Sequence, residues 1–128
     1  HLPDADFVVV AAALTPQTLG LFDSNRFAKM KPTAYLVNIA RGKHVVTDDL
    51  IIALNTGQIA AAALDVTDPE PLPDGHPLWN LSNCLITPHT ADTPAQVTRM
   101  LAERIAKNVE AFCTGGEMVG LVNKTLGY

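Results

Sequence analysis

Among the eight glycines of this 128-residue chain, none form the G-x-G-x-x-G pattern. The backbone cradle that holds a dinucleotide's phosphates is therefore not written here. No apolar run reaches the roughly 18 residues that a membrane-spanning helix needs. The longest strand-like run, residues 7–14, is too short and lacks the basic leader of a signal peptide. Nine Lys and Arg stand against thirteen Asp and Glu, for a formal net charge of −4. That balance offers nothing to nucleic acid or to an acidic membrane surface. Only two cysteines occur, Cys84 and Cys113, far apart. They predict buried, reduced thiols in a cytosolic protein and argue against a disulfide scaffold. No His, Cys, Asp or Glu cluster has metal-ligand spacing, so no metal is expected. There is no internal repeat and no low-complexity tract. The chain opens at His1 rather than Met and runs at once toward an apolar strand, which suggests a piece of a longer protein.

What is present points to a packed interior. Hydrophobic residues make up 48% and charged residues 17%, a composition of globular domains. Residues 7–13 form a continuous run rich in Val and Ala, of a length suited to a strand buried on both faces. Thr15-Pro16-Gln17-Thr18 breaks it as a turn. Ser24 is placed to cap a short helix holding Phe27 and Met30, which must end before Pro32. Residues 34–39 read as a second buried strand, turned by Ala40-Arg41-Gly42. Thr47-Asp48-Asp49 supplies an N-cap oxygen and early acids for the next helix, and Gly57 fits just past its end. Residues 59–66 make a third strand and residues 85–87 a short fourth.

Between those two strands lie Pro69, Pro71, Pro73 and Pro77. Four prolines demand an ordered, non-helical loop, with Trp79 expected to pin it to the core. The last helix carries Val97, Leu101, Ile105, Val109 and Phe112 at helical spacing. Thr93 with Gln96 fits a capping box, Pro94 the first helical position, and Gly115-Gly116 a stop. Strand, helix, strand, helix, strand, strand and long helix is the order of a doubly wound parallel sheet, and four strands make about half of one.

Three ionisable residues each follow an apolar strand: Arg41, Glu70 and His89. Parallel strands deliver their carboxyl ends to one edge of a sheet, where ligands bind. A cation, a carboxylate and an imidazole gathered there suit an anionic substrate that gains or loses a proton. Taken singly, each has a plainer reading: Arg41 as half of a surface ion pair, His89 as a structural histidine, Glu70 as a solvated loop acid.

Six segments carry a resemblance: Leu14-Thr-Pro-Gln-Thr, Val37-Asn-Ile-Ala-Arg-Gly, Ala63-Leu-Asp-Val, Pro69-Glu-Pro-Leu-Pro, His76-Pro-Leu-Trp and Thr87-Pro-His-Thr-Ala. In that order and spacing they resemble the C-terminal part of the cofactor-binding domain of D-isomer-specific 2-hydroxyacid dehydrogenases. The resemblance implies an α/β fold, the second half of a Rossmann-like doubly wound sheet ending in a long helix. Residues 1–113 would belong to that domain and residues 114–128 to a tail toward the substrate domain. It implies NAD or NADP as cofactor, a small 2-oxo or 2-hydroxy acid as substrate, with glyoxylate or hydroxypyruvate favoured, and a cytoplasmic homodimer.

The resemblance also implies roles. Arg41 binds the substrate carboxylate, for which a planar, always charged guanidinium is suited. His89 acts as general acid and base, since an imidazole gives and takes a proton near neutral pH. Glu70 accepts a hydrogen bond from His89 and sets its tautomer. The formate dehydrogenase branch carries Gln at that position, so Glu70 argues against formate. Asp65 faces the nicotinamide carboxamide. Ala12, Ala13 and Thr18 line the turn by the ribose and nicotinamide wall. Ile39, Ala40, Thr90 and Ala91 bring backbone groups near the nicotinamide, as do Arg41 and His89. Two positions depart from the family pattern, Ala13 where Pro is usual and Thr67 where an aromatic is usual. His1, His44 and His76 read as minor. Two rivals remain: a dinucleotide-binding corepressor-like scaffold, and an inactive isolated fragment whose open strand edge favours pairing with another chain.

Overall fold

A computed structural model describes residues 1–128. The chain divides into two compact units, His1–His89 and Thr90–Tyr128. The first holds strands β1 (Phe7–Val10), β2 (Tyr35–Asn38), β3 (Ala61–Leu64) and β4 (Cys84–Ile86). It also holds helices α1 (Ser24–Phe27) and α2 (Thr47–Asn55). The four strands form one sheet in the order β1-β2-β3-β4, every pair parallel. The register aligns Val10, Asn38, Leu64 and Ile86 in one row across the sheet. Everything that follows that row emerges at the same edge.

Side chains alternate along a strand, and here the two faces differ. Val10, Leu36, Ala62 and Leu64 join one buried cluster with Phe27, Met30, Leu50, Ala53, Leu54 and Ile59. Phe27, Leu36, Leu50 and Ile59 are fully enclosed, each worth about 1.5–3 kcal/mol of burial. The opposite face carries Phe7, Val9, Tyr35 and Leu85, which are all exposed; Phe7 and Tyr35 stack at 5.2 Å between ring centroids. β1 is thus buried on one face only, not on both, because α1 and α2 contribute their buried side chains to the Val10 face. It is also shorter than the apolar run, and β3 is shorter than residues 59–66, although Ile59 and Val66 flank it buried.

The helix starts also differ in detail. Asp23, not Ser24, caps α1, its carboxylate accepting from the Arg26 N–H at 3.0 Å. That bond holds the Asp23 carboxyl below the usual carboxylate range. Met30 lies beyond α1 yet is buried. Val46 occupies the cap position of α2, and the Thr47 hydroxyl donates instead to the Asp68 carbonyl at 2.8 Å. The Thr47 side chain therefore ties α2 to the proline-rich loop. Trp79 is exposed; its Nε1–H donates to the Pro73 carbonyl at 3.0 Å, closing the loop on itself, while Leu78 is the residue that enters the core.

The second unit is helix α3 (Pro94–Thr114) with its tail. Thr93 stands at the cap position and Pro94 at the first turn, but no side-chain bond closes a capping box. Gly115 ends the helix at φ 72°, a left-handed conformation that glycine adopts without a Cβ penalty. Asn108 brackets the tail, donating to the Val119 carbonyl at 3.1 Å and accepting the Val119 N–H at 2.8 Å. Cys113 is exposed rather than buried. No helix is long and apolar enough to cross a membrane.

Candidate active site

The carboxyl ends of the strands each lead into a turn with its own internal lock. After β1, the Thr18 hydroxyl donates to the Ala13 carbonyl at 2.8 Å, and the Thr15 N–H donates to the Thr18 oxygen at 2.8 Å. Ala12 and Ala13 are exposed, presenting backbone and methyl groups alone.

After β2, Asn38 organises the turn. It is fully buried, and a buried amide must find partners. Its Oδ1 accepts from the Ala40 N–H at 3.1 Å and its Nδ2 donates to the Arg41 carbonyl at 2.9 Å. Ile39 is exposed and Ala40 buried. The Arg41 side chain is exposed, and its Nη1 donates to the Ala40 carbonyl at 2.6 Å. Arg41 enters none of the three ion pairs Arg26–Asp23, Lys31–Asp6 and His89–Glu70. Gly42 is required next to it: a Cβ there would run into the main chain of Thr67 and Asp68. The Arg41 turn and the proline-rich loop thereby touch backbone to backbone.

After β3 and β4, the ladder continues one step, with the Asp65 N–H bonded to Asn38 and the Thr87 N–H to Leu64 at 2.9 Å each. Asp65 is buried, and its carboxylate accepts the Thr87 hydroxyl. Past Thr87 the chain reaches His89, whose φ of 54° makes it the one non-glycine residue with a left-handed backbone. Such a conformation costs free energy and is commonest where a side chain must be aimed. His89 Nδ1 lies 2.6 Å from Glu70 Oε1, nineteen residues back on the proline-rich loop. That loop contains two cis peptides, Asp68–Pro69 and Glu70–Pro71. Both side chains of the pair are close to half exposed. A cavity of about 250 Å³ opens beside them, lined by Asp65, Thr67, Leu72, Trp79 and Ile86 as well as the pair.

The topology therefore gathers Ala12, Ala13, Thr18, Ile39, Ala40, Arg41, Asp65, Glu70 and His89 around one edge of one sheet, and the side chains of Glu70 and His89 bond each other directly. Thr90 and Ala91 begin the second unit and are exposed. Sequence reasoning missed His44. It is fully buried, not minor, and its ring nitrogens lie within hydrogen-bond distance of a carbonyl of the first turn and a carbonyl of the second. Its partner Ala13 lies thirty-one residues away, so spacing gave no signal of it.

A parallel α/β sheet with its ionisable residues at one carboxyl edge is a Rossmann-type arrangement. Residues 1–91 match the family model described as "D-isomer specific 2-hydroxyacid dehydrogenase, NAD binding domain". The human "Glyoxylate reductase/hydroxypyruvate reductase" is 48% identical over 114 residues, 89% of this chain and 35% of that protein. A D-isomer-specific 2-hydroxyacid dehydrogenase from Xanthobacter autotrophicus Py2, crystallised with NADPH and MES, superposes with a TM-score of 0.92. It is 40% identical, and the match covers 99% of this chain and 41% of that one. An NADPH-dependent glyoxylate/hydroxypyruvate reductase from Sinorhizobium meliloti, crystallised with NADP and sulfate, gives 0.90 at 31% identity, covering 99% of this chain and 41% of its own. The chain belongs to the D-isomer-specific 2-hydroxyacid dehydrogenase family, in its NAD-binding domain. It spans about two-fifths or less of the length of these relatives.

Proposed function

We propose that this chain supplies the nicotinamide-side half of the cofactor domain, and the acid–base pair, of an NAD(P)-dependent oxidoreductase acting on a small 2-oxo or 2-hydroxy acid. The single observation that carries this is the 2.6 Å contact between His89 and Glu70, on a sheet edge that also bears Arg41. Glyoxylate or hydroxypyruvate is the favoured substrate, since the human and Sinorhizobium relatives carry those names. The protein is read as a cytoplasmic homodimer, with residues 1–113 in the cofactor domain and 114–128 leading toward the substrate domain.

The residues at the edge suit the nicotinamide end of a dinucleotide. Ala12, Ala13 and Ala40 leave the backbone approachable. The buried Asp65 carboxylate can accept a hydrogen bond from a carboxamide. The phosphate loop is not among these residues, so the pyrophosphate must be held elsewhere. When bound, the reduced cofactor supplies the hydride.

The chain's own residues do the rest. The Arg41 guanidinium takes the substrate carboxylate bidentately, a contact stronger than a neutral hydrogen bond and geometrically fixed. That fixes the 2-oxo carbon and presents its oxygen to His89 Nε2. Nδ1 is committed to Glu70, so Nε2 is the nitrogen left to give a proton to the carbonyl oxygen, and to take it back in the oxidative direction. Glu70 holds the ring in place and sets its tautomer.

The test is oxidation of NADH and of NADPH by the whole protein carrying this chain, with glyoxylate, hydroxypyruvate and pyruvate offered separately. Turnover with one of these acids is expected. Tight dinucleotide binding without turnover of any acid would favour the corepressor-like scaffold instead.

A further inference from the structure

His44 joins the two turns that the proposed site needs at a fixed spacing. Its ring is wholly removed from solvent, and burying a polar ring costs free energy unless its nitrogens are bonded. Nδ1 lies 3.0 Å from the Arg41 carbonyl and Nε2 lies 3.3 Å from the Ala13 carbonyl. A carbonyl only accepts, so the ring is the donor on whichever side it bonds; a neutral ring serves one carbonyl and an imidazolium serves both. Both carbonyls are already fixed locally, Arg41 by Asn38 Nδ2 and Ala13 by the Thr18 hydroxyl. What a neutral His44 with its proton on Nε2 adds is the link to Ala13, because its main-chain N–H already holds the Arg41 carbonyl. The His44 backbone is itself anchored, its N–H to the Arg41 carbonyl at 3.2 Å and its own carbonyl to the Phe22 N–H at 2.8 Å. An apolar residue of similar size would fill the same space without tying Ala13 to Arg41.

We propose that His44 is a positioning residue. It holds the cofactor-side turn at Ala13 and the substrate-side turn at Arg41 in one spacing, so that dinucleotide and acid meet at the correct separation. The functional half of this proposal rests on the reading of the edge given above.

Three substitutions test the Ala13 link. In His44→Asn the side-chain amide reaches where Nδ1 stood and keeps the Arg41 link. In His44→Gln the longer amide reaches where Nε2 stood and keeps the Ala13 link. His44→Leu keeps neither. Amide hydrogen exchange by mass spectrometry on this chain reads the clamp without any activity. Exchange about tenfold faster at residues 13–19 is expected in His44→Asn and His44→Leu, and exchange close to that of the unaltered protein in His44→Gln. In the whole protein, KM for the dinucleotide is expected to rise several-fold in His44→Asn and His44→Leu and to stay unchanged in His44→Gln. Uniformly faster exchange across residues 1–89 in all three variants, or no change in any, would overturn the clamp. An unaltered KM pattern alongside the expected exchange would overturn its positioning role. Should the unaltered protein turn over no acid, the oxidoreductase reading fails while the exchange pattern still decides the clamp.

Discussion

The Arg41 turn and the His89–Glu70 pair sit on the same sheet edge but are built in opposite ways. The turn is held from below by buried groups: Asn38 and His44 are both fully enclosed, and Gly42 lets it press against the main chain of Thr67. The pair is close to half exposed; its side chains hold each other, with His89 aimed by a left-handed backbone. The difference matches the two tasks proposed for them. A carboxylate clamp needs a fixed position, for which a dry hydrogen-bonded base is suited. A proton donor must remain open to the atom it serves.

The largest effect is expected where the exposed pair is broken. His89→Ala should lower kcat by about 10²- to 10⁴-fold, while calorimetric affinity for the dinucleotide and the melting temperature stay close to those of the parent. A fall in melting temperature matching the loss of activity would show that the residue is structural.

Arg41→Leu should raise KM for the acid by about 10- to 100-fold, the equivalent of one charge-assisted contact, with little change in dinucleotide affinity. Equal KM values in steady-state assays would remove Arg41 from the clamp.

Gly42→Ala attacks the buried base instead. Forcing a methyl into the Thr67 main chain should cost about 1–3 kcal/mol, read by denaturant unfolding. Stability unchanged within error would mean that the turn yields freely.

The smallest effect concerns the thiols. Burial pushes Cys84 up to about 11, whereas Cys113 is exposed. Iodoacetamide at neutral pH should therefore label Cys113 first, with Cys84 following only on unfolding, as counted by mass spectrometry. Because burial favours the neutral thiol of Cys84, its contribution to stability is full below the ordinary thiol value. That contribution declines as pH rises toward about 11. Rapid double labelling of the native chain would contradict this.

The strands were legible because β-branched and apolar runs bounded by Thr-Pro, Arg-Gly and Gly-Gln leave few other readings, and their order dictated a parallel sheet. The helix ends were less so. Ser24, Thr47 and the Thr93–Gln96 box all have the chemistry of caps, yet Asp23 takes the first role and Thr47 spends its hydroxyl on Asp68. A hydroxyl's choice between its own helix and a distant carbonyl depends on tertiary contacts that local sequence does not record. Gly42 was legible as a turn residue but not as a contact with Thr67, which needed the fold. His44 was least legible, since Ala13 is brought to it only by the pairing of β1 with β2. The exposed face of Phe7, Val9, Tyr35 and Leu85 shows the limit of reading burial from apolar runs alone. An apolar strand marks what a face is suited to pack against, and α1 and α2 pack on the other one.

The most direct test of the account is a double-mutant cycle in the 2-oxo acid reduction assay, comparing Glu70→Gln, His89→Ala and the two together. If the pair acts as one unit, the double variant should lose no more kcat than His89→Ala alone. If the two losses multiply, Glu70 and His89 act independently and the proton-donating pair is not the working element of this site.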